Sequence, residues 1–142
     1  MTRLQALFVD DDPAIRKTFT ALLELEGFEV LALASAREAT AVLAVRDFDL
    51  VVTDMRMETP LAGYDVVRAA RNLPSSPEII ILTAYPLQTS DWKQQGAYAL
   101  FMKGGNMGSL LSTIRDLADR RRATRKDPDD PPPDIRRKIS MN

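Results

Sequence analysis

The acidic run Asp10–Asp11–Asp12, the single Asp54, Thr83 and Lys103 each close a short apolar run. The chain has no cysteine and no histidine. Disulfides, thiolate and imidazole metal sites and histidine-based triads are therefore excluded, and any chemistry rests on carboxylates, hydroxyls and amines. Taken singly, these residues have ordinary explanations. Asp12, directly before Pro13, is a helix cap; Thr83 can simply end a strand, Lys103 can be a solvated amine, and Asp54 stands evenly between a loop cap and a functional group. Taken together they read differently. Asp10, Asp11 and Asp54 gathered at one edge repel one another and call for a cation. An all-oxygen donor set with room for water favours Mg²⁺, a hard octahedral ion that takes phosphate as a partner. Lys103 and the Thr83 hydroxyl on the same rim suit a tetrahedral anion. The chemistry that fits is in-line phosphoryl transfer to a carboxylate.

Such a rim requires strands that end side by side. Five apolar runs supply them: Leu4–Val9, Phe28–Leu33, Phe48–Thr53, Glu78–Leu82 and Tyr98–Met102. Several are almost continuously apolar, as parallel strands covered on both faces are. Helical spacing fills the intervals. Pro13–Glu26 carries Ile15, Phe19, Leu22 and Leu23 on one stripe, with Asp12 as N-cap, Pro13 at the first helical position and Gly27 after the end. Ser35 caps a second helix over Ala36–Arg46. A third runs over Tyr64–Asn72 and stops before Pro74, and a short fourth covers Thr89–Gln95. The fifth starts near Asn106 or Met107 and presents Leu110, Leu111, Ile114 and Leu117. Strict alternation of strand and helix predicts an α/β fold, a doubly wound five-stranded parallel sheet between two helical layers. Ligands of such sheets bind outside the carboxyl ends of the strands, where all the residues singled out above fall.

At 142 residues, 45% hydrophobic and 27% charged, the chain reads as one globular domain. A formal net charge of −1 gives no pull toward nucleic acid or anionic membrane. No apolar run reaches the roughly 20 residues of a membrane span, and Met-Thr-Arg-Leu-Gln lacks the apolar core of a signal peptide. A cytoplasmic protein is expected. The domain is expected over residues 1–122, with 123–142 as a linker or disordered tail, since those last twenty residues hold four of the nine prolines, four aspartates and five Lys/Arg. Arg120–Arg122 read as a solvated helix end; the sharper alternatives are that Arg136, Arg137 and Lys138 contact a partner, or that the chain is the front piece of a longer transcription factor.

The motifs resemble those of a known family. Leu-Phe-Val-Asp-Asp-Asp-Pro (7–13), Leu-Val-Val-Thr-Asp-Met-Arg-Met (50–57), Ile-Ile-Ile-Leu-Thr-Ala (79–84) and Gly-Ala-Tyr-Ala-Leu-Phe-Met-Lys (96–103) are similar, in order and spacing, to the receiver domains of bacterial two-component regulators. The resemblance covers about residues 3–122. It implies a flavodoxin-like (βα)5 sandwich acting as a signalling switch rather than an enzyme in the usual sense. Asp54 would take a phosphoryl group from a phosphohistidine on a sensor histidine kinase or histidine phosphotransfer protein. Asp11 and Asp54 would bind Mg²⁺ directly, Asp10 through water, and the Arg56 backbone carbonyl would be a further ligand. Thr83 would move toward the phosphoryl oxygens and Lys103 would pair with them. A downstream protein target is implied, as is a homodimer through the face of the fourth helix, fifth strand and fifth helix. Neither nucleic acid nor membrane is expected to bind this domain.

Two other readings are weighed against it. One is a degenerate receiver, a protein-interaction module working without phosphorylation; the intact acidic set opposes it. The other is an aspartyl-nucleophile phosphohydrolase, which needs a second Asp two residues after the first; position 56 is Arg. The chain also departs from the family pattern. Glu58 and Gly104 stand where proline is usual, the loop after the phosphoacceptor strand is one residue longer with Pro60 displaced and Gly63 closing it, and Leu100 replaces the switch aromatic, with Tyr98 on the same strand face. With Gly104-Gly105 available, a trans Lys103–Gly104 bond and a rerouted loop are expected, because a cis bond outside proline costs about 2.5–4 kcal/mol.

Overall fold

The first two strands form where the apolar runs place them, β1 at Leu4–Val9 and β2 at Phe28–Leu33. They are joined by α1 (Pro13–Leu25), whose N-cap Asp12 accepts hydrogen bonds from the backbone N–H groups of Ala14 and Ile15. A computed structural model describes residues 3–85 and 91–124. The remaining elements are α2 (Ala36–Leu43), β3 (Leu50–Thr53), α3 (Ala62–Arg71), β4 (Glu78–Thr83), α4 (Trp92–Gln95), β5 (Ala99–Met102) and α5 (Met107–Thr124). The expected fold is present. All strand pairs are parallel and the sheet order is β2-β1-β3-β4-β5.

Alternation along the strands divides the core in two. Leu4, Ala6 and Phe8 of β1 face α1 and α5, with Val52, Ile80 and Leu82 beside them. Leu7 and Val9 face α2 and α3, together with Val51, Ile79 and Ile81. Both faces are therefore dry, which explains the nearly continuous apolar strands. The Phe8 and Phe19 rings stack at 5.3 Å and seat α1 on β1. The strand order reverses between β1 and β3, so the crevice where such sheets bind ligands opens between the ends of those two strands.

Several boundaries differ from the sequence reading. β3 begins at Leu50 rather than Phe48; at Asp49 the backbone N–H donates to the Gln5 carbonyl, while the Gln5 N–H is taken by the Asp49 carboxylate at 2.8 Å instead of a strand carbonyl. α2 ends at Leu43 because its last turn tightens, with Val45 N–H bonded to the Val42 carbonyl. α3 starts two residues before Tyr64 and takes Gly63 into its first turn, so this glycine does not close the loop. Of the expected fourth helix, Trp92–Gln95 is helical, while Thr89 lies outside the described residues. α5 begins at Met107, with the Asn106 side chain accepting from Ser109 N–H, and Ala118 rather than Leu111 joins its buried stripe.

α5 continues to Thr124, two residues past the expected domain end, and its terminus is not simply solvated. Arg121 lies along the protein: its guanidinium bridges the Asp49 carboxylate at 3.0 Å and the carbonyls of Ser75 and Ser76. The tail at 125–142, with Arg136, Arg137 and Lys138, lies outside the described residues. Among those described, no helix is long and apolar enough to cross a membrane.

Candidate functional site

β1 and β3 end level with each other, Val9 opposite Thr53, and deliver Asp10 and Asp54 to the crevice between them. The Asp10 N–H donates to the Leu33 carbonyl and the Asp54 N–H to the Val9 carbonyl. Both backbones are thus still held in the sheet at the residues that matter. On the next strands, β4 ends in Thr83, and Lys103 follows β5 with its N–H donating to the Thr83 carbonyl at 2.7 Å. The four strand ends that the sequence singled out therefore lie along one rim.

One carboxylate oxygen each from Asp10, Asp11 and Asp54 lies within 4.8 Å of the others. Asp10 is wholly buried, Asp54 is 6% exposed and Asp11 is exposed. The buried pair is not left to repel unaided. Lys103 Nζ sits 2.6 Å from Asp10 Oδ2 and 3.2 Å from Asp54 Oδ2. Asp54 Oδ1 accepts from the Met55 N–H at 2.8 Å, and Asp10 Oδ1 from the Asp12 N–H at 2.9 Å. Among the described residues, Asp10 Oδ2 has no properly directed hydrogen-bond donor; the nearby lysine compensates its charge.

These surroundings act on protonation. Burial, and then the neighbouring Asp10 charge, push the Asp54 pKa above the ordinary carboxylate value, with Lys103 and the Met55 N–H opposing them. For Lys103, burial pulls the other way, but the adjacent Asp10 and Asp54 carboxylates outweigh it and raise its pKa. The site is thus short of positive charge around two buried carboxylates. A buried carboxylate oxygen without a directed donor, three converging oxygens and no nitrogen or sulfur ligand fit a hard divalent cation.

The other expected residues fall around this centre. Thr83 is buried, and its hydroxyl is taken up locally, donating to the Tyr85 carbonyl at 3.2 Å and accepting from the Tyr85 N–H at 3.3 Å. Arg56 is exposed, with its guanidinium over the Tyr85 ring, 5.3 Å from the centroid. The Lys103–Gly104 bond is trans, and Gly104 turns the chain with φ of 77°, a conformation that glycine adopts freely.

Sequence reasoning missed three supports. Arg16 of α1 donates to the Asp10 carbonyl at 2.7 Å and braces the acidic loop; a cation six residues after an Asp carries no recognisable signal. A Cβ on Gly63 would overlap the Asp54 carbonyl oxygen and lie 2.7 Å from Met55 Cα, so only glycine lets α3 start this close to the end of β3. The Glu58 carboxylate accepts from the N–H groups of Ala36 and Arg37, both at 2.9 Å. Burial raises the Glu58 pKa, but those donors and its own N–H outweigh it and hold the carboxyl below its ordinary value.

The chain is similar to known proteins in sequence and fold. Residues 6–115 match the family described as the response regulator receiver domain. The transcriptional regulatory protein GlrR of Escherichia coli (strain K12) is 30% identical over 115 residues, which cover 80% of this chain and 26% of that protein. The chain thus spans about a quarter of that relative's length. A CheY-like receiver domain protein from Methanospirillum hungatei JF-1 superposes with a TM-score of 0.75 at 28% identity, covering 85% of this chain and 98% of the other. The response regulator TrrA of Thermotoga maritima, solved in complex with Mg²⁺ and BeF, gives 0.69 at 29% identity, covering 80% and 98%.

Proposed function

This chain belongs to the response regulator receiver domain family, and from that premise we propose that it is a phosphoryl-accepting switch with Asp54 as the acceptor. The observation that carries the proposal is the buried Asp10–Asp54 pair bridged by Lys103, with Asp11 alongside. It is a site of excess negative charge, poised for a cation and then for a phosphoryl group. Asp11 and Asp54 would hold Mg²⁺ directly, with Asp10 supporting it through water and the Arg56 carbonyl as a further ligand. When bound, the ion neutralises charge on the carboxylates and on the phosphoryl oxygens.

In the reaction, an oxygen of the Asp54 carboxylate forms a bond to phosphorus as the P–N bond of a donor phosphohistidine breaks. The imidazole leaves on the nitrogen lone pair and takes up a proton. Lys103 stays near Asp10 and Asp54 and pairs with the incoming oxygens, while the Thr83 hydroxyl leaves the Tyr85 backbone to donate to one of them. The donor is a sensor histidine kinase or a histidine phosphotransfer protein, and the reader a downstream protein target in the cytoplasm. The α4–β5–α5 face, where Tyr98, Met102 and Met107 are exposed, serves self-association.

Incubation with acetyl phosphate and Mg²⁺ tests this reading. One phosphoryl group per chain should appear by intact mass, none in EDTA and none in Asp54→Asn. Asp11→Ala should raise the Mg²⁺ concentration required. Labelling that persists in Asp54→Asn defeats the assignment, and a wild type that is never labelled points to a binding module instead.

A further inference from the structure

The loop between β3 and α3 must hold its backbone still wherever it meets a metal, and most of it is exposed. Its far end is fixed by the Gly63 N–H donating to the Met55 carbonyl at 2.9 Å. Inside it, Met57 N–H and Ala62 N–H both donate to the Thr59 carbonyl, which ties the turn only to itself. Arg56 reaches out of the loop only to lie over the Tyr85 ring and Met57 only to pack on the core. Among the described residues, the loop-middle side chain that hydrogen-bonds to another element is Glu58. Its two oxygens take the first two N–H groups of α2, one each. Those groups have no partners inside the helix and lie at its positively polarised end, so hydrogen bonds from them to a carboxylate are strong and directional. The next amide, of Glu38, goes to the Ser35 hydroxyl at 3.1 Å. α2 is itself a firm anchor, seated in the core through Ala36, Ala39 and Leu43.

We propose that Glu58 is a positioning residue for the metal site, clamping the β3–α3 loop to the N-terminus of α2 and so fixing the backbone at Arg56. Where a proline would stiffen this loop through its ring, here two hydrogen bonds to a neighbouring element do so. The inference rests on the reading that the Arg56 carbonyl is a metal ligand. It makes α2, an element that contributes no ligand, a mechanical part of the site.

Calorimetric titration of the full chain with Mg²⁺ separates loop positioning from mere capping of α2, when run beside acetyl phosphate kinetics. Removing the clamp in Glu58→Ala should raise the Kd for Mg²⁺ about tenfold, the loss typical when a group that orients a metal ligand is deleted. The phosphorylation rate at saturating Mg²⁺ should stay near wild type. Glu58→Gln keeps one accepting oxygen and should fall between. Ser35→Ala weakens the same helix end without touching the loop, so it should lower Tm and leave the Kd unchanged. A wild-type Kd in Glu58→Ala overturns the inference alone. An equal rise in Ser35→Ala also overturns it, since helix stability would then be the cause. A wild type that binds no Mg²⁺ overturns the metal reading and the inference with it.

Discussion

At the scale of single residues, the carboxylates of Asp10, Asp11 and Asp54 outnumber Lys103, the one ammonium shown among them in the described residues. Asp54 carries the cost, since burial and the Asp10 charge disfavour its ionised form. A group whose pKa is raised by folding stabilises the fold when protonated and costs stability once pH rises through the raised value. Asp54→Asn, neutral and of similar shape, should therefore raise Tm in metal-free buffer at neutral pH by about 2–6 °C, the shift that roughly 1 kcal/mol produces in a domain of this size. Added Mg²⁺ should close the gap by stabilising only the wild type. Differential scanning calorimetry with and without EDTA checks this, and a lower Tm for the variant would refute it. Arg56 and Tyr85 form a second device, a cation–π pair spanning the ends of β3 and β4. An exposed pair of this kind is worth about 0.5–1 kcal/mol, so if it shields the acyl phosphate, cutting both to Ala should speed autodephosphorylation by roughly two- to fivefold. Unchanged decay of the labelled protein would leave both side chains as bystanders. The acidic run, Asp54, Thr83 and Lys103 were legible because each stands directly after an apolar run. The Glu58 clamp was not, since it joins positions 22 apart through geometry that spacing along the chain does not encode.

At the scale of elements, the buried strand β1 and the partly exposed edge strand β2 were both read to the residue, because their apolar runs end in the carboxylate and the cap that stop them. The start of α3 was misread for a physical reason. Glycine signals a break when local propensity is weighed, yet Gly63 is helical because α3 must pass against the backbone of Asp54 and Met55. Tertiary packing overrides propensity there. Gly63→Ala ought to gain from helix propensity alone, but the overlap should dominate and destabilise the protein by about 1–3 kcal/mol. Urea denaturation measures it, and an Ala variant as stable as wild type would show that α3 can shift away freely. Because the overlap falls on Asp54 itself, the same variant should also accept phosphoryl groups more slowly from acetyl phosphate.

At the scale of the whole molecule, the two ends of the sheet have different tasks. The carboxyl end holds the acidic rim; the amino end is closed by α5, whose Arg121 reaches Asp49 at the start of β3 and the carbonyls before β4. A run of three arginines gives no hint that the middle one is sheltered, since the pattern of a helix end is the same whether or not a partner waits across the sheet. Removing one member of a sheltered pair strands the other. Arg121→Ala should cost about 3 kcal/mol, against less than about 1 kcal/mol for Asp119→Ala, which breaks only the exposed pair with Arg122. Equal, small losses in Arg121→Ala and Asp119→Ala would mean that the Arg121 bridge does not hold α5.

This division of ends also decides how the protein can be handled on a surface. Thr124 lies at the amino end of the sheet beside Gln5, Asp49 and Arg121, remote from the rim of Asp10, Asp54 and Lys103. The chain has no cysteine, so Thr124→Cys would supply one thiol for attachment. Molecules coupled to a sensor chip through that sulfur would all stand the same way, their acidic crevices turned outward toward whatever flows past.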